Sequence, residues 1–147
     1  MAKVLESCSH RIARVDFWDN GIVYIHLDDE QEVQVSDSEW QYELLKSKYN
    51  GKDKFRILVE PGPDTSITQE AREYSTLPDR NAMTDAIAVI VSSLAHRIII
   101  NFIINLTHKA GVKMRMFENR EKAIQWLQSF DNCDVKSEQQ EETSATV

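Results

Sequence analysis

Glu60 and Asp64 are the carboxylates whose placement invites chemistry. They follow Phe55-Arg56-Ile57-Leu58-Val59, a short apolar run that reads as a buried strand. Open α/β sheets bind ligands at the carboxyl ends of their strands, and a carboxylate pair there can move protons. The same residues also suit a solvated turn, with Asp64 ordering its backbone. No nucleophile or set of oxyanion donors accompanies them, which favours the turn.

Ser66 carries the other reactive possibility. A hydroxyl at a helix start sits where the helix dipole and free amides would stabilise a phosphate. Ser66 with Gln69 three residues on also forms an ordinary capping box, and capping alone explains the pair.

Other chemistries lack their residues. The four histidines, His10, His26, His96 and His108, show no metal spacing. On an ideal helix His96 and His108 lie roughly 120° apart. The four glycines are scattered, which excludes a phosphate-cradling loop. Cys8 and Cys133 stand near opposite ends of the chain and read as free thiols of a reducing compartment. The expectation is a protein with no catalytic residue, no cofactor and no metal.

The elements that would position these residues can be read in order. Arg11 to Trp18 has strand character, Asn20-Gly21 is a hairpin turn, and Ile22 to Leu27 is a second strand. Val33 and Val35 suggest a short extended piece. Ser36-Asp37-Ser38-Glu39 reads as a capping box for a helix to about Tyr49, with Trp40, Leu44 and Leu45 inward and Asn50-Gly51 ending it. After the strand at 55–59, Pro61-Gly62-Pro63-Asp64 turns the chain, and a helix runs from about Ile67 to Leu77. Ala86 to Val91 is apolar enough for a central parallel strand. Ser92 or Ser93 caps a helix ending near His108, and Gly111 breaks it. Lys113 to Phe117 is the last strand. Asn119 caps a helix in which Ala123, Trp126, Leu127 and Phe130 share a face. The three tryptophans, Trp18, Trp40 and Trp126, fall in regular structure and suit packing.

The order β-β-α-β-α-β-α-β-α argues for an α/β fold: one mixed, mostly parallel sheet with helices on its faces. Residues 1–130 make one domain. From Asp131 to Val147 five acids stand against one base, so much of the net charge of −7 collects in a tail that reads as disordered. An acidic chain with dispersed bases does not suit nucleic acid. The apolar run Ile98–Ile104 falls far short of the ~20 residues that span a bilayer. Met1 to His10 has no apolar core of a signal peptide. These features point to a cytoplasmic protein that does not span a membrane.

The strand at Ala86–Val91 feeding an apolar helix, and the closing Phe117-Glu118-Asn119 with Ala123-Ile124-Gln125-Trp126-Leu127, resemble small bacterial domains of the SpoIIAA-like (STAS-like) group. The likeness spans roughly Val15 to Phe130. It implies a five-stranded mixed sheet whose first strand is antiparallel, with helices on both faces. It also implies a non-enzymatic protein-interaction or regulatory module that binds an as yet unidentified protein partner. The alternative is a carrier of a small apolar ligand or lipid, since the group is likened to Sec14-type domains. The group's phosphorylated Asp-Ser-Ser/Thr-Gly motif aligns with Asp64-Thr65-Ser66-Ile67, where Ile67 replaces the glycine and Pro61-Gly62-Pro63 stiffens the approach.

The helix from Ser93 to His108 carries more apolar surface than its own core needs. Ser93, Arg97, Asn101 and His108 form a polar sector, and Leu94, Ile98, Phe102, Ala95, Leu106, Ile99 and Ile103 lie opposite. Ile100 and Ile104 flank Ser93. Ile99, Ile100, Ile103 and Ile104 are therefore expected to form a self-association surface, most simply in a homodimer. A helix covered broadly within one domain is the other reading.

Overall fold

The computed structural model describes residues 2–77, 82–109 and 111–130; the tail expected at 131–147 lies outside the described residues. The elements are β1 (Val4–His10), β2 (Ala13–Trp18), β3 (Ile22–Leu27), β4 (Glu32–Val33), α1 (Val35–Lys48), β5 (Phe55–Pro61), β6 (Ser66–Ile67), α2 (Gln69–Ser75), β7 (Thr84–Ile90), α3 (Leu94–Lys109), β8 (Lys113–Phe117) and α4 (Arg120–Gln128).

The main sheet has the order β1-β2-β3-β5-β7-β8. It is six-stranded, not five-stranded: β1 is the addition that sequence reading misses. Only β2 runs against the rest, since β1–β2 and β2–β3 are antiparallel and the other three pairings are parallel. The expected antiparallel first strand, Arg11–Trp18, is β2. Its turn into β3 needs a positive φ, and Gly21 supplies it at 87°.

Helices cover both faces. Leu45 of α1 packs with Val15, Val23, Ile25 and Ile57 on one face. Ala123 and Leu127 of α4 pack with Tyr24, Leu58, Ala86 and Ala88 on the other. Both apolar sets come from neighbouring positions on the same strands, because successive strand side chains point to opposite faces.

Two helix starts differ from the sequence reading. At α1 the carboxylate of Asp37 accepts the Gln34 backbone N–H at 2.8 Å, so Gln34 and Asp37 frame the helix start, not Ser36 and Glu39. At α2 the cap is Thr68, whose Oγ1 accepts from the Ala71 N–H at 3.0 Å. Ser66 is drawn into β6, which pairs in parallel with β4 as Glu32↔Ser66 and Val33↔Ile67. That pairing moves the helix start past Ser66. The caps expected from Ser93 and Asn119 form as read: Ser93 Oγ accepts from the His96 N–H, and Asn119 Oδ1 from the Lys122 N–H, each at 3.1 Å.

Candidate functional site

Parallel pairing of β5 with β7 sets Ile57 beside Ile87 and Val59 beside Val89. These β-branched side chains make an apolar floor. Across it lies α3, whose Ile99, Ile100 and Ile103 form the roof. Between them is a cavity of about 170 Å³, partly open to solvent and lined also by Met114, Leu27 and the start of α1.

Three polar side chains in the cavity wall bond to other parts of the protein. Asp37 is buried and takes both Nε and Nη2 of Arg11 as well as the Gln34 N–H. The Arg11 guanidinium, through these hydrogen bonds, holds the Asp37 carboxyl below the usual carboxylate range. Thr65 Oγ1 donates to the Asp28 carbonyl and accepts from the Gly62 N–H, both at 2.8 Å. His96 is buried, and its Nε2 lies 2.7 Å from the Thr65 carbonyl oxygen. A carbonyl only accepts, so Nε2 carries a proton and donates to it. The His96 Nδ1 is enclosed and has no hydrogen-bond partner.

Two loops brace each other beside the cavity. Asp29 Oδ1 accepts the Asp64 N–H at 2.7 Å, and the Leu27 carbonyl accepts the Gly62 N–H at 3.2 Å. A Cβ at Gly62 would stand 2.5 Å from Asp29 Cα, so only glycine permits this approach.

The expected site residues scatter. Glu60 points to the opposite face, where its Oε1 accepts from Tyr24 Oη at 2.8 Å and Arg120 Nη2 at 2.6 Å. Burial, then the bond to Glu60, pushes the Tyr24 hydroxyl up to about 12. Asp64 is exposed in the braced turn. Glu60 and Asp64 thus serve different contacts. Ser66 is exposed in β6, and its N–H donates to the Gln31 carbonyl at 2.9 Å. Ile99, Ile100 and Ile103 line the cavity, and Ile104 is half-buried. The exposed apolar stripe of α3 is instead Leu94 (73%), Ile98 (63%) and Phe102 (53%). Sequence reading gave Arg11 no role, placed Asp37 only inside the α1 capping box, and weighed His96 only as a metal ligand. The signal for His96 was a polar residue four positions before Ile100 in a helix of mostly apolar residues.

With the geometry set out, comparison with known proteins places the fold. A family described as a domain of unknown function, DUF7793, matches residues 17–131. The chain belongs to the DUF7793 family. Its fold is SpoIIAA-like: an uncharacterised DUF3478-family protein from Shewanella loihica PV-4, described with that fold, superposes with a TM-score of 0.53. That match is 12% identical and covers 86% of this chain and 95% of the other. No curated protein matches the sequence. In this DUF7793 chain β1 lies outside the family match. Among the described residues no helix is long and apolar enough to cross a membrane, and no group of three metal-ligating side chains occurs.

Proposed function

We propose that this DUF7793 protein is a non-catalytic binding module for a small apolar ligand, held between α3 and the sheet. The cavity of about 170 Å³, floored by Ile57, Val59, Ile87 and Val89, carries this reading. Small-ligand sites are concave, mostly apolar and largely preformed. Three buried polar groups around it, Asp37, Thr65 and His96 Nε2, are tied to protein partners, so the open part of the wall is chiefly the apolar floor and roof. The ligand class that fits is a neutral or weakly polar molecule with an aliphatic chain.

The test is titration with N-phenyl-1-naphthylamine, a neutral fluorescent apolar probe, followed by displacement with medium-chain alcohols and fatty acids. Binding at micromolar concentration is expected. Ile100→Trp, which fills the roof, is expected to weaken it roughly tenfold or more while the fold persists. Absence of probe binding, together with a thermal midpoint that no apolar compound raises, overturns the reading.

A second reading, a cytoplasmic protein-interaction or regulatory module, draws on the stripe Leu94, Ile98 and Phe102. These positions recur every four residues on one helix side, the pattern that partner helices use. Ile98→Glu would then abolish partner co-purification and leave probe binding unchanged.

A further inference from the structure

The free edge of β1 is the least protected part of the main sheet. Among the described residues β1 pairs only with β2, so one row of its backbone N–H and C=O groups points outward. Open edges are templates for further strands, and proteins blunt them with lysine, proline or cover. The opposite edge follows that rule: β8 carries Lys113 and Arg115, both exposed. β1 reads Val-Leu-Glu-Ser-Cys-Ser-His and has no lysine, arginine or proline. It also exposes Val4 (53%) and Leu5 (71%).

The regular part of β1 is self-complementary. A register shift interrupts the ladder between Val4 and Glu6, and Glu6 to His10 then pairs without interruption against Phe17 to Ala13. This regular stretch is centred on Cys8. Two such strands in antiparallel array about a two-fold axis at Cys8 place Glu6 opposite His10 of the second copy, and Ser7 opposite Ser9. Glu6, whose carboxylate already accepts from Lys48 Nζ of α1 at 2.7 and 2.8 Å, then faces the His10 ring at both ends of the seam. The remaining pair is Cys8 against Cys8. Each position thus meets a compatible side chain in a second copy of the same strand.

We infer that β1 is a pairing edge for a second copy of this chain, and that two sheets join through it into one continuous sheet. Such a contact is isologous, as two-fold dimers require. The axis stands normal to the sheet, so both copies keep α1, α3 and their cavities on the same side. A five-residue strand seam with its flanking side chains is a modest interface, so association in the micromolar range is expected.

The test uses the full chain carrying Cys133→Ser, which leaves Cys8 as the single thiol. Light scattering at high micromolar concentration is expected to give twice the 17.0 kDa chain mass. Residues directly opposite in an antiparallel pair have Cα atoms about 4.5–5.5 Å apart. A short bismaleimide should therefore link Cys8 to Cys8 in the folded dimer, and Cys8→Ser should abolish the link while the dimer remains. His10→Glu sets like charges opposite each other at both ends, and is expected to weaken the dimer roughly tenfold, about 1.4 kcal/mol over the symmetric pairs. If His10→Glu unfolds because the His10 ring no longer stacks on Trp40, 5.1 Å away, Ser9→Lys supplies the edge charge instead, and it is expected to weaken the dimer with the thermal midpoint held. A chain that stays at 17.0 kDa overturns the inference. So does a dimer that neither cross-links through Cys8 nor responds to the edge charges.

Discussion

His96 Nε2 lies 2.7 Å from the Thr65 carbonyl oxygen and ties the first turn of α3 to the loop that enters β6. The two residues are 31 positions apart, and both are buried. The bond sets the height of α3 over the sheet at one end of the cavity. Replacing the ring with an apolar side chain leaves a buried acceptor unmatched, which costs about 1–3 kcal/mol. His96→Leu is therefore expected to lower stability by about 2 kcal/mol in urea denaturation. Long-range proton–nitrogen NMR of the wild type should show a proton on Nε2. An Nε2 without one would break the assignment of this bond.

Asp37 gives the fold an acid-sensitive clamp. Its carboxylate joins Arg11, which sits at a positive φ of 52° between β1 and β2, to the start of α1. The Asp37 pKa is lowered in the folded state, chiefly by Arg11. Its contribution is therefore complete above the unfolded value of about 3.9 and is lost as pH falls through the folded value. Wild-type stability should decline below about pH 4 more steeply than that of Asp37→Asn. At neutral pH Asp37→Ala is expected to cost about 1 kcal/mol, through the lost bond to the Gln34 N–H. Equal acid sensitivity of wild type and Asp37→Asn would remove Asp37 from this role.

Tyr24 makes the opposite prediction at alkaline pH. Its hydroxyl is pushed up to about 12 by burial and by Glu60. A raised folded value adds stability that is full below the unfolded value of about 10 and is lost as pH rises through the folded one. Tyr24 should therefore give a step near pH 12 in a titration followed by ultraviolet absorbance. Tyr24→Phe should remove that step. A Tyr24→Phe protein with an unchanged titration curve would contradict the Tyr24–Glu60 bond.

What the sequence conceals follows from what burial writes into it. Alternation marks a strand only when one face is buried and the other is not. β1 shows none, because six of its seven residues are exposed and Cys8 is half-buried. The strands at Ile57–Val59 and Ala86–Ile90 were legible because helices cover both of their faces. The start of α2 was misplaced because Ser66 and Thr68 are both good caps, and only the remote pairing of Ser66 with Glu32 chooses between them. The Glu60 and Asp64 pair dissolves for a related reason: four positions apart in sequence, one ends on the α4 side of a strand and the other in a turn.

Gly62 tests the loop brace. Alanine there would bring Cβ to 2.5 Å from Asp29 Cα, and backbone cannot yield as a side-chain tip can. Gly62→Ala is expected to destabilise by about 1–3 kcal/mol, in the range of overpacked sites. It should also perturb the amide resonances of Asp64 and Thr65, whose bonds depend on the same approach. A variant as stable as wild type, with those resonances in place, would show that the loops stand further apart.

The orientation of α3 decides between two readings of its isoleucines, and stability measures it. On a helical wheel Ile98 and Ile103 both fall in the broad apolar arc. In the structure Ile103 is 5% exposed and Ile98 is 63% exposed. Removing a buried isoleucine to alanine costs about 2–5 kcal/mol. Ile103 already borders the cavity, so it has fewer neighbours to lose than a fully packed residue. Ile103→Ala is therefore expected near the low end, about 2 kcal/mol. Ile98→Ala should stay within about 0.5 kcal/mol, as surface changes do. Urea denaturation at a protein concentration where the chain is monomeric separates the two values. Equal losses at both positions would mean that α3 is covered on both sides. A larger loss at Ile98 would mean that the helix is turned the other way, and the cavity would lose its roof.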